Sequence, residues 1–504
     1  MEREIFSRPA RLGAVITGER EEAIVHLFTK KRILLRLEAA SLDVPDARET
    51  FIYAVNQCLR FCSNISVRIE GGSDDLLQNC NSLAVRIHGL GASVGLAEDV
   101  KGRGFDAIVN VGTEILSDLS AVTINSSGWI ARMTTADSVS RKLRWKPEPP
   151  NPLGALGAAC LGVGAAFYAV LGRRLASSME ISLFNHEVAS PGELAAGPPL
   201  PTSPLWLDGF LVGCGAVTNG WAYAVKRLPV VGRLQAIDRQ SLRFENIWSY
   251  VAVGRESVLK PKAVVIKELL SPAIHVAERP DQWEFFKIWL DHGLDVPPLV
   301  IAGLDNVTTR HSVQRLWPET LIDMAADKLQ SQVIVKHKRG DGLCLLRALS
   351  IPPGETDWAE GLAAVTGLDP SIIASQPTGR ITQGDIDAAP LDKKAELQMA
   401  LGTPRCGHIN HQSLEMEGYD HDFAPAVPFV TAFSGVVGAA ETVKCLMGRR
   451  YAHSMHFQKS FESSRSRALE MKCDPSCECQ GIEPQGKSPG QSAKWSGMQA
   501  EDAL

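Results

Sequence analysis

No long run of basic residues occurs in this chain of 504 residues. Its 57 Asp and Glu outnumber its 52 Lys and Arg, for a formal net charge of −5. Without a basic stripe to neutralise a phosphate backbone, nucleic acid is excluded as the main partner. The start, residues 1–15, is polar and charged and lacks the apolar core of a secretory leader. A cytoplasmic setting is therefore expected, where the 11 cysteines stay reduced and act as packing residues, metal ligands or nucleophiles rather than disulfides. Charge is also missing from Pro152 to Gly172, 21 residues long enough to cross a bilayer. The stretch is rich in Gly and Ala and no second span accompanies it, so it reads as a buried helix at a domain interface, with no membrane partner.

Hydrophobic residues make up 45% and charged residues 22% of the chain, ordinary for a globular protein with two to four domains. A faint internal duplication is present. Leu161 to Arg174 and Val437 to Arg450 are both small-residue helical runs ending in Gly-Arg-Arg, with Gly162 and Gly438 each ten residues before the terminal Gly172 and Gly448. Small residues allow close helix approach, and Gly followed by basic residues suits a helix C-terminus. Before each run lies a strand-then-glycine pattern: Leu83 to Ala92 with Gly89-x-Gly91, and Phe210 to Gly220 with Gly213-x-Gly215. Two α/β halves follow, separated by a Pro-rich linker at 198–204. Residues beyond about 480 are small and polar and read as a disordered tail.

The second half carries the chemistry. Three apolar residues from Phe210 lead into Gly213-x-Gly215 and a helix-like stretch to Val225. Such a turn lets backbone approach phosphate at a helix N-terminus. Asp238 ends the next strand, 23 residues after Gly215, where an acid accepts hydrogen bonds from ribose hydroxyls. Asn246 follows eight residues later and Lys262 sixteen after that; the apolar segment Leu299 to Leu304 runs into Asp305-Asn306-x-x-x-Arg310.

This series resembles the ubiquitin-activating enzymes and their bacterial ThiF and MoeB relatives, clearly over about residues 200–480 and in outline before that. The resemblance implies ATP and Mg²⁺, with Asp238 on ribose, Asn246 and Lys262 on phosphates, and Asp305 handling Mg·ATP. The chemistry needs such a set. Adenylation brings a carboxylate against the α-phosphate, so cations must neutralise two anions in the transition state. Two departures stand out. Gln240 replaces a second acid, and Ser249 replaces an arginine, for which Arg243, Arg255, Arg8 and Arg11 are candidate substitutes.

Two cysteines follow Asp305. In zinc-containing relatives a Cys-x-x-Cys occupies the Cys344 region, but here Arg347 takes the second place; a C-terminal cluster of Cys473, Cys477 and Cys479 remains. Three or four thiolates make a tetrahedral zinc site, but the irregular spacing favours a vestige of one. Cys406, flanked by Arg405 and His408, fits the thioester nucleophile better, since a nearby cation favours the thiolate. Pro-Arg-Cys-Gly in this place resembles the activating enzymes of bacterial ubiquitin-like conjugation operons linked to phage defence (the BilD-like group), in which an inactive adenylation-like half precedes an active one.

The expected fold is α/β: two Rossmann-like ThiF/MoeB-type halves packed as an intrachain pseudo-dimer, the first degenerate. The expected divisions are 1–197 for the inactive half, 198–349 with 424–465 for the active half, 350–423 for an inserted catalytic-cysteine segment and 466–504 for a Cys-containing tail. The expected activity is adenylation of a ubiquitin-like protein's C-terminal glycine, then a Cys406 thioester for a conjugating enzyme. Rival readings are a sulfur-carrier adenylating enzyme without conjugation, a nicotinamide-dependent oxidoreductase sharing the glycine turn, and a non-catalytic nucleotide-binding protein.

Overall fold

The computed structural model describes residues 5–97, 104–136, 150–173, 178–281, 283, 286–287, 290, 295–337, 343–350, 363–364, 366–375, 379–403, 405, 408, 427–449, 455–458, 466–469 and 477. The first half opens with helices α1 (Ser7–Thr17) and α2 (Glu21–Lys30), then strand β1 (Arg32–Leu37), α3 (Pro45–Cys58), β2 (Asn64–Ile69), α4 (Asp74–His88), β3 (Gly95–Leu96), β4 (Ala107–Val111), β5 (Ala121–Ser127), β6 (Ile130–Thr135), α5 (Pro152–Val170), β7 (Met179–Ser182) and β8 (Val188–Ala189). The second half runs β9 (Leu205–Val212), α6 (Ala216–Val225), β10 (Val230–Ile237), α7 (Lys262–Leu270), β11 (Ile274–Arg279), β12 (Leu299–Ala302), α8 (Val307–Gln314), β13 (Thr320–Asp327), β14 (Gln330–His337) and α9 (Leu345–Ala348). Three short helices follow, α10 (Pro370–Ser375), α11 (Gln383–Ala388) and α12 (Lys394–Met399), then α13 (Pro428–Leu446), β15 (Met455–Gln458) and β16 (Ser466–Leu469).

The duplication becomes complete at the level of topology. One sheet has the order β3-β2-β1-β4-β5-β6-β7-β8 and the other β11-β10-β9-β12-β13-β14-β15-β16, so each strand has a counterpart. In both, the first five are parallel and the last three antiparallel. The result is two Rossmann-like α/β halves in one chain. The strands at the centre are continuous apolar runs such as Ile33-Leu34-Leu35, as sheets covered on both faces require.

The two Gly/Ala-rich runs are the matching helices α5 and α13. Both have 19 residues, begin with Pro and end before a glycine of positive φ, Gly172 (+69°) and Gly448 (+70°). A Cβ at Gly162 would lie 2.7 Å from Ile124 of β5, and one at Gly438 would collide with Met324 of β13, the counterpart strand. Each glycine thus lets its helix sit close on its own sheet. Pro152–Val170 is a buried interface helix, as its composition implies, but it does not stand alone. Pro428–Leu446 is also long and apolar enough to cross a membrane, and both are largely buried inside the protein.

Two expectations are corrected. Leu83 to His88 is the end of helix α4 rather than a strand before Gly89-x-Gly91. The apolar positions that bury are Leu76, Cys80, Ala84 and Ile87, a helical period, and Gly89 merely terminates the helix. The strand that corresponds to β9 is β1. Second, β16 extends the sheet of the second half to Leu469, past the expected end at 465, by pairing with β15. Helices α10 to α12 enclose a small core of their own, formed by Leu368, Ile373, Ile381, Ile386, Ala389 and Leu397.

Candidate functional site

Strand order reverses between β9 and β12, the place where open α/β sheets leave a crevice at their carboxyl ends. The turn after β9 lies there. Gly213 has φ +81°, and a Cβ on it would fall 2.7 Å from the Gly303 carbonyl oxygen after β12, so only glycine fits. Gly215 caps α6, whose N-terminal amides face the crevice. Asp238, just beyond β10, fixes the turn: its Oδ2 accepts from the Cys214 amide at 2.7 Å and its Oδ1 from the Gln240 amide at 2.8 Å. Each oxygen keeps a lone pair for a further donor. Cys214 is fully enclosed; burial and the neighbouring Asp238 push its thiol well up, so it is no nucleophile.

Lys262 opens α7 and is 8% exposed. Its Nζ donates to Gln240 Oε1 and stands 6.0 Å from the centroid of the Tyr250 ring. Burial alone pulls the amine's pKa down, but Tyr250 and Asp238 outweigh it and hold the pKa above its ordinary value, so the lysine is a buried cation. Gln240, which departs from the resemblance, therefore ties Lys262 to the segment after β10. Asn246 is buried in a 3₁₀ turn (Phe244–Trp248) and its Oδ1 accepts from the Arg243 amide at 2.8 Å.

Ser249 is fully buried, and its carbonyl accepts from Thr431 of α13 at 3.0 Å. A longer side chain there would have to find room in a fully buried position. Of the four arginines considered as substitutes, Arg8 of α1 has the strongest claim. Burial lowers its pKa first; Arg11 and Arg243 lower it further, while Tyr250 and Glu245 raise it. Arg8, on the first half's α1, thus lies within electrostatic range of Tyr250, Arg243, Glu245 and Lys262 of the second half. Its helix is anchored by Phe6, whose ring meets Trp248 at 5.0 Å and His88 at 5.9 Å. Cations that crowd one another this way are suited to a polyanion.

Asp305 lies on the same edge, three residues beyond β12, exposed and without a hydrogen bond or ion pair to the described residues. Asn306 caps α8 by accepting from the Thr309 amide at 2.8 Å. Arg310 is turned inward and forms a buried bidentate pair with Asp323 of β13, Nε to Oδ1 at 3.0 Å. The motif therefore divides its work: Arg310 and Asn306 fix the helix, and Asp305 faces solvent. Among the described residues no three His, Cys, Asp or Glu side chains gather as a metal site. One carboxylate without a partner among the described residues, beside a glycine turn at a helix N-terminus, fits Mg²⁺, which is commonly held by one or two carboxylates together with substrate phosphates and water.

Cys344 and Cys477 are both buried and adjacent through their sulfurs. The Cys344 thiol also accepts from Gln314 Nε2 at 2.6 Å, and burial followed by Cys477 pushes its pKa up. Cys473 and Cys479 lie outside the described residues, as does Cys406. Of the residues around it, Arg405 and His408 are described. Arg405, expected to favour a Cys406 thiolate, pairs with the buried Asp385 of α11 at 2.8 Å, and His408 meets the Thr366 carbonyl at 3.3 Å. Asp385, which also caps α11 with Thr382, draws the guanidinium inward. Sequence reasoning passed over Tyr250, Asp323 and Asp385, which sit in no motif.

The first half has the same crevice between β1 and β4, filled differently. Where β9 is followed by Gly213, β1 is followed by Glu38. Its carboxylate accepts from the Thr113 amide (2.9 Å), the Glu114 amide (2.8 Å) and Asn110 Nδ2 (2.7 Å). Gly112, the counterpart of Gly303, has its free face against that carboxylate. Glu114, the counterpart of Asp305, is paired with Arg36 at 2.6 Å.

No protein-family profile matches the chain, and no curated protein matches it. Solved structures similar to it include selenomethionine PaaA (14% identical, TM-score 0.33, covering 54% of this chain and 65% of that one). Two others are E. coli MccB with MccA-N7isoAsn (14%, 0.32, 55% and 67%) and E. coli MccB with succinimide (15%, 0.31, 55% and 66%). The chain thus spans only about two thirds of the length of these proteins.

Proposed function

We propose that the second half binds Mg·ATP and adenylates the C-terminal glycine carboxylate of a ubiquitin-like protein. The observation that carries this reading is the convergence, at one sheet edge, of the Gly213–Gly215 turn, Asp238, the buried cation Lys262 and the unpaired carboxylate of Asp305. Asp238 receives the ribose hydroxyls. The turn amides and Lys262 take phosphate oxygens, Arg8 adds positive charge from the first half, and Asp305 holds Mg²⁺ with the phosphates. The substrate carboxylate attacks the α-phosphorus and pyrophosphate departs, with the developing negative charge facing fixed cations. Cys406 then attacks the acyl-adenylate carbonyl as thiolate. AMP leaves and a thioester forms for handing to a conjugating enzyme. The Pro-Arg-Cys-Gly resemblance supports a place in bacterial ubiquitin-like conjugation and antiphage defence. In this reading Cys344, Cys473, Cys477 and Cys479 hold zinc or are the vestige of a zinc site, and take no part in the chemistry.

The test is ATP–pyrophosphate exchange with a ubiquitin-like protein bearing a free C-terminal glycine, followed by non-reducing electrophoresis. Exchange together with an adduct sensitive to reductant is expected in the wild type. Cys406→Ala should keep exchange and lose the adduct, and Cys344→Ala should keep both. Exchange without any adduct in the wild type would assign the chain to sulfur-carrier adenylation. No exchange with any such carrier would end the reading.

A further inference from the structure

Arg60 is a charged side chain 1% exposed, in the segment after α3 of the first half, with no carboxylate bonded to it among the described residues. Its guanidinium is spent on backbone of the second half. Nη1 donates to the Ile247 carbonyl, and Nη2 donates to those of Val251 and Val253, each at 3.0 Å. Asn56 of α3 orients it, accepting from Nε at 3.1 Å and Nη2 at 2.8 Å, and donates its own amide to the Val251 carbonyl at 2.7 Å. Burial drives the guanidinium's pKa down to about 9. Burying an ion is costly, and well-packed apolar groups commonly hold an interface at least as well. Adhesion between the halves therefore does not explain this residue.

Its geometry does. Three carbonyls spaced over 247–253 converge on one planar cation, and few loop conformations allow that. The loop they define carries Tyr250 against Lys262 and begins at Asn246. Two further contacts from the first half hold its far end: Arg86 pairs with Glu256 at 2.6 Å, and Arg255 Nε donates to the Ile87 carbonyl at 3.2 Å. We propose that Arg60, oriented by Asn56, is a positioning residue through which the first half sets the 246–253 loop and thereby the phosphate-binding state of Asn246, Tyr250 and Lys262. This rests on the nucleotide reading given above, and it gives a half with a filled crevice a task in the reaction.

The experiment uses the full chain with Arg60→Lys, which keeps the charge but not the planar fork, and with Asn56→Ala. Mg·ATP affinity is measured by calorimetry, and deuterium exchange of the 246–253 amides by mass spectrometry. Arg227→Ala is the control. It removes the Arg227–Glu49 pair between the halves, at the far end of α6 from the glycine turn. Arg60→Lys should stay folded, weaken Mg·ATP by about tenfold or more and speed exchange of the loop, with Asn56→Ala shifting both in the same direction by less. Arg227→Ala should lower the melting temperature yet leave affinity within about twofold. Unchanged affinity and exchange in Arg60→Lys would overturn the proposal, as would an equal affinity loss in Arg227→Ala. A wild type that binds no ATP would sink the nucleotide reading, while the exchange measurement would still decide whether Arg60 sets the loop.

Discussion

Lys262 is held charged in a place that would ordinarily discharge it. Burial opposes the ammonium, and Tyr250 and Asp238 more than offset it. Such a cation is pre-organised: no water need be stripped from it when a phosphate arrives. Lys262→Ala should therefore reduce exchange by about 10²-fold or more, and Asp305→Ala should abolish it, with melting unchanged for the exposed Asp305. Pyrophosphate exchange under saturating ATP reads both; wild-type rates in either variant would reduce that residue to scaffold. Much of this site was legible at the residue scale because nucleotide chemistry demands particular side chains at strand ends. Gly213, Asp238 and Asp305 stand at or just past strand ends, whereas Asn246 and Lys262 were marked only by the spacing of the resemblance. Tyr250 and Asp323 were not legible, since a ring beside a lysine and a carboxylate facing Arg310 depend on contacts between segments far apart in sequence. Arg60 left a faint signal, a lone cation among the apolar residues of Cys58-Leu-Arg-Phe-Cys62, which asks for buried acceptors without saying whose.

At the scale of elements, helix α13 shows why small residues recur. A Cβ on Gly435 would collide with the Trp221 amide nitrogen and the Val217 carbonyl oxygen of α6, and one on Gly220 would sit 3.0 Å from the Ala432 Cα. The clash is with backbone, which cannot swing aside, so Gly435→Ala should cost about 1–3 kcal/mol, read as a lower melting temperature or denaturation midpoint. An unchanged midpoint would mean that α13 does not press on α6. The same helix carries Glu441, which with His186 and Lys444 forms a buried cluster joining the halves. Despite burial, which raises it, Lys444 and His186 bring the Glu441 pKa from an ordinary 4.5 down to about 2. The folded chain thus binds this proton more weakly than the unfolded one. The resulting stability is present above about pH 4.5 and fades as pH falls towards 2. Glu441→Gln should melt below wild type at pH 7, and the gap should narrow between pH 5 and 3; a constant gap would show that the carboxylate's charge contributes nothing. The sequence marked both small-residue helices but misread Leu83 to His88 as a strand. Over so few residues an apolar run has no distinct period, and the helix is apparent only when Leu76 and Cys80 are counted with it.

The whole molecule is two copies of one topology with opposite contents at the same crevice. In the second half a glycine turn and cations leave room for an anion. In the first, Glu38 puts a carboxylate in that place and bonds it to the amides of Thr113 and Glu114, while Arg36 holds Glu114, the acid that corresponds to Asp305. A phosphate entering there would meet the charge of Glu38 in a site screened from water, where like charges repel strongly. The duplication was visible in the sequence through Gly162 and Gly438, but the filled crevice was not, because Glu38 carries no motif and its partners lie some seventy residues away. The expectation is one nucleotide per chain. Calorimetric titration with Mg·ATP should give a stoichiometry of one, and Asp238→Ala, which strips the second-half turn of its anchor and, in the proposed reading, the ribose of its acceptor, should abolish the binding isotherm rather than leave a weaker second site. A stoichiometry of two, or a residual site in Asp238→Ala that Glu38→Ala strengthens, would mean that both crevices bind nucleotide and that the first half takes part in the chemistry directly.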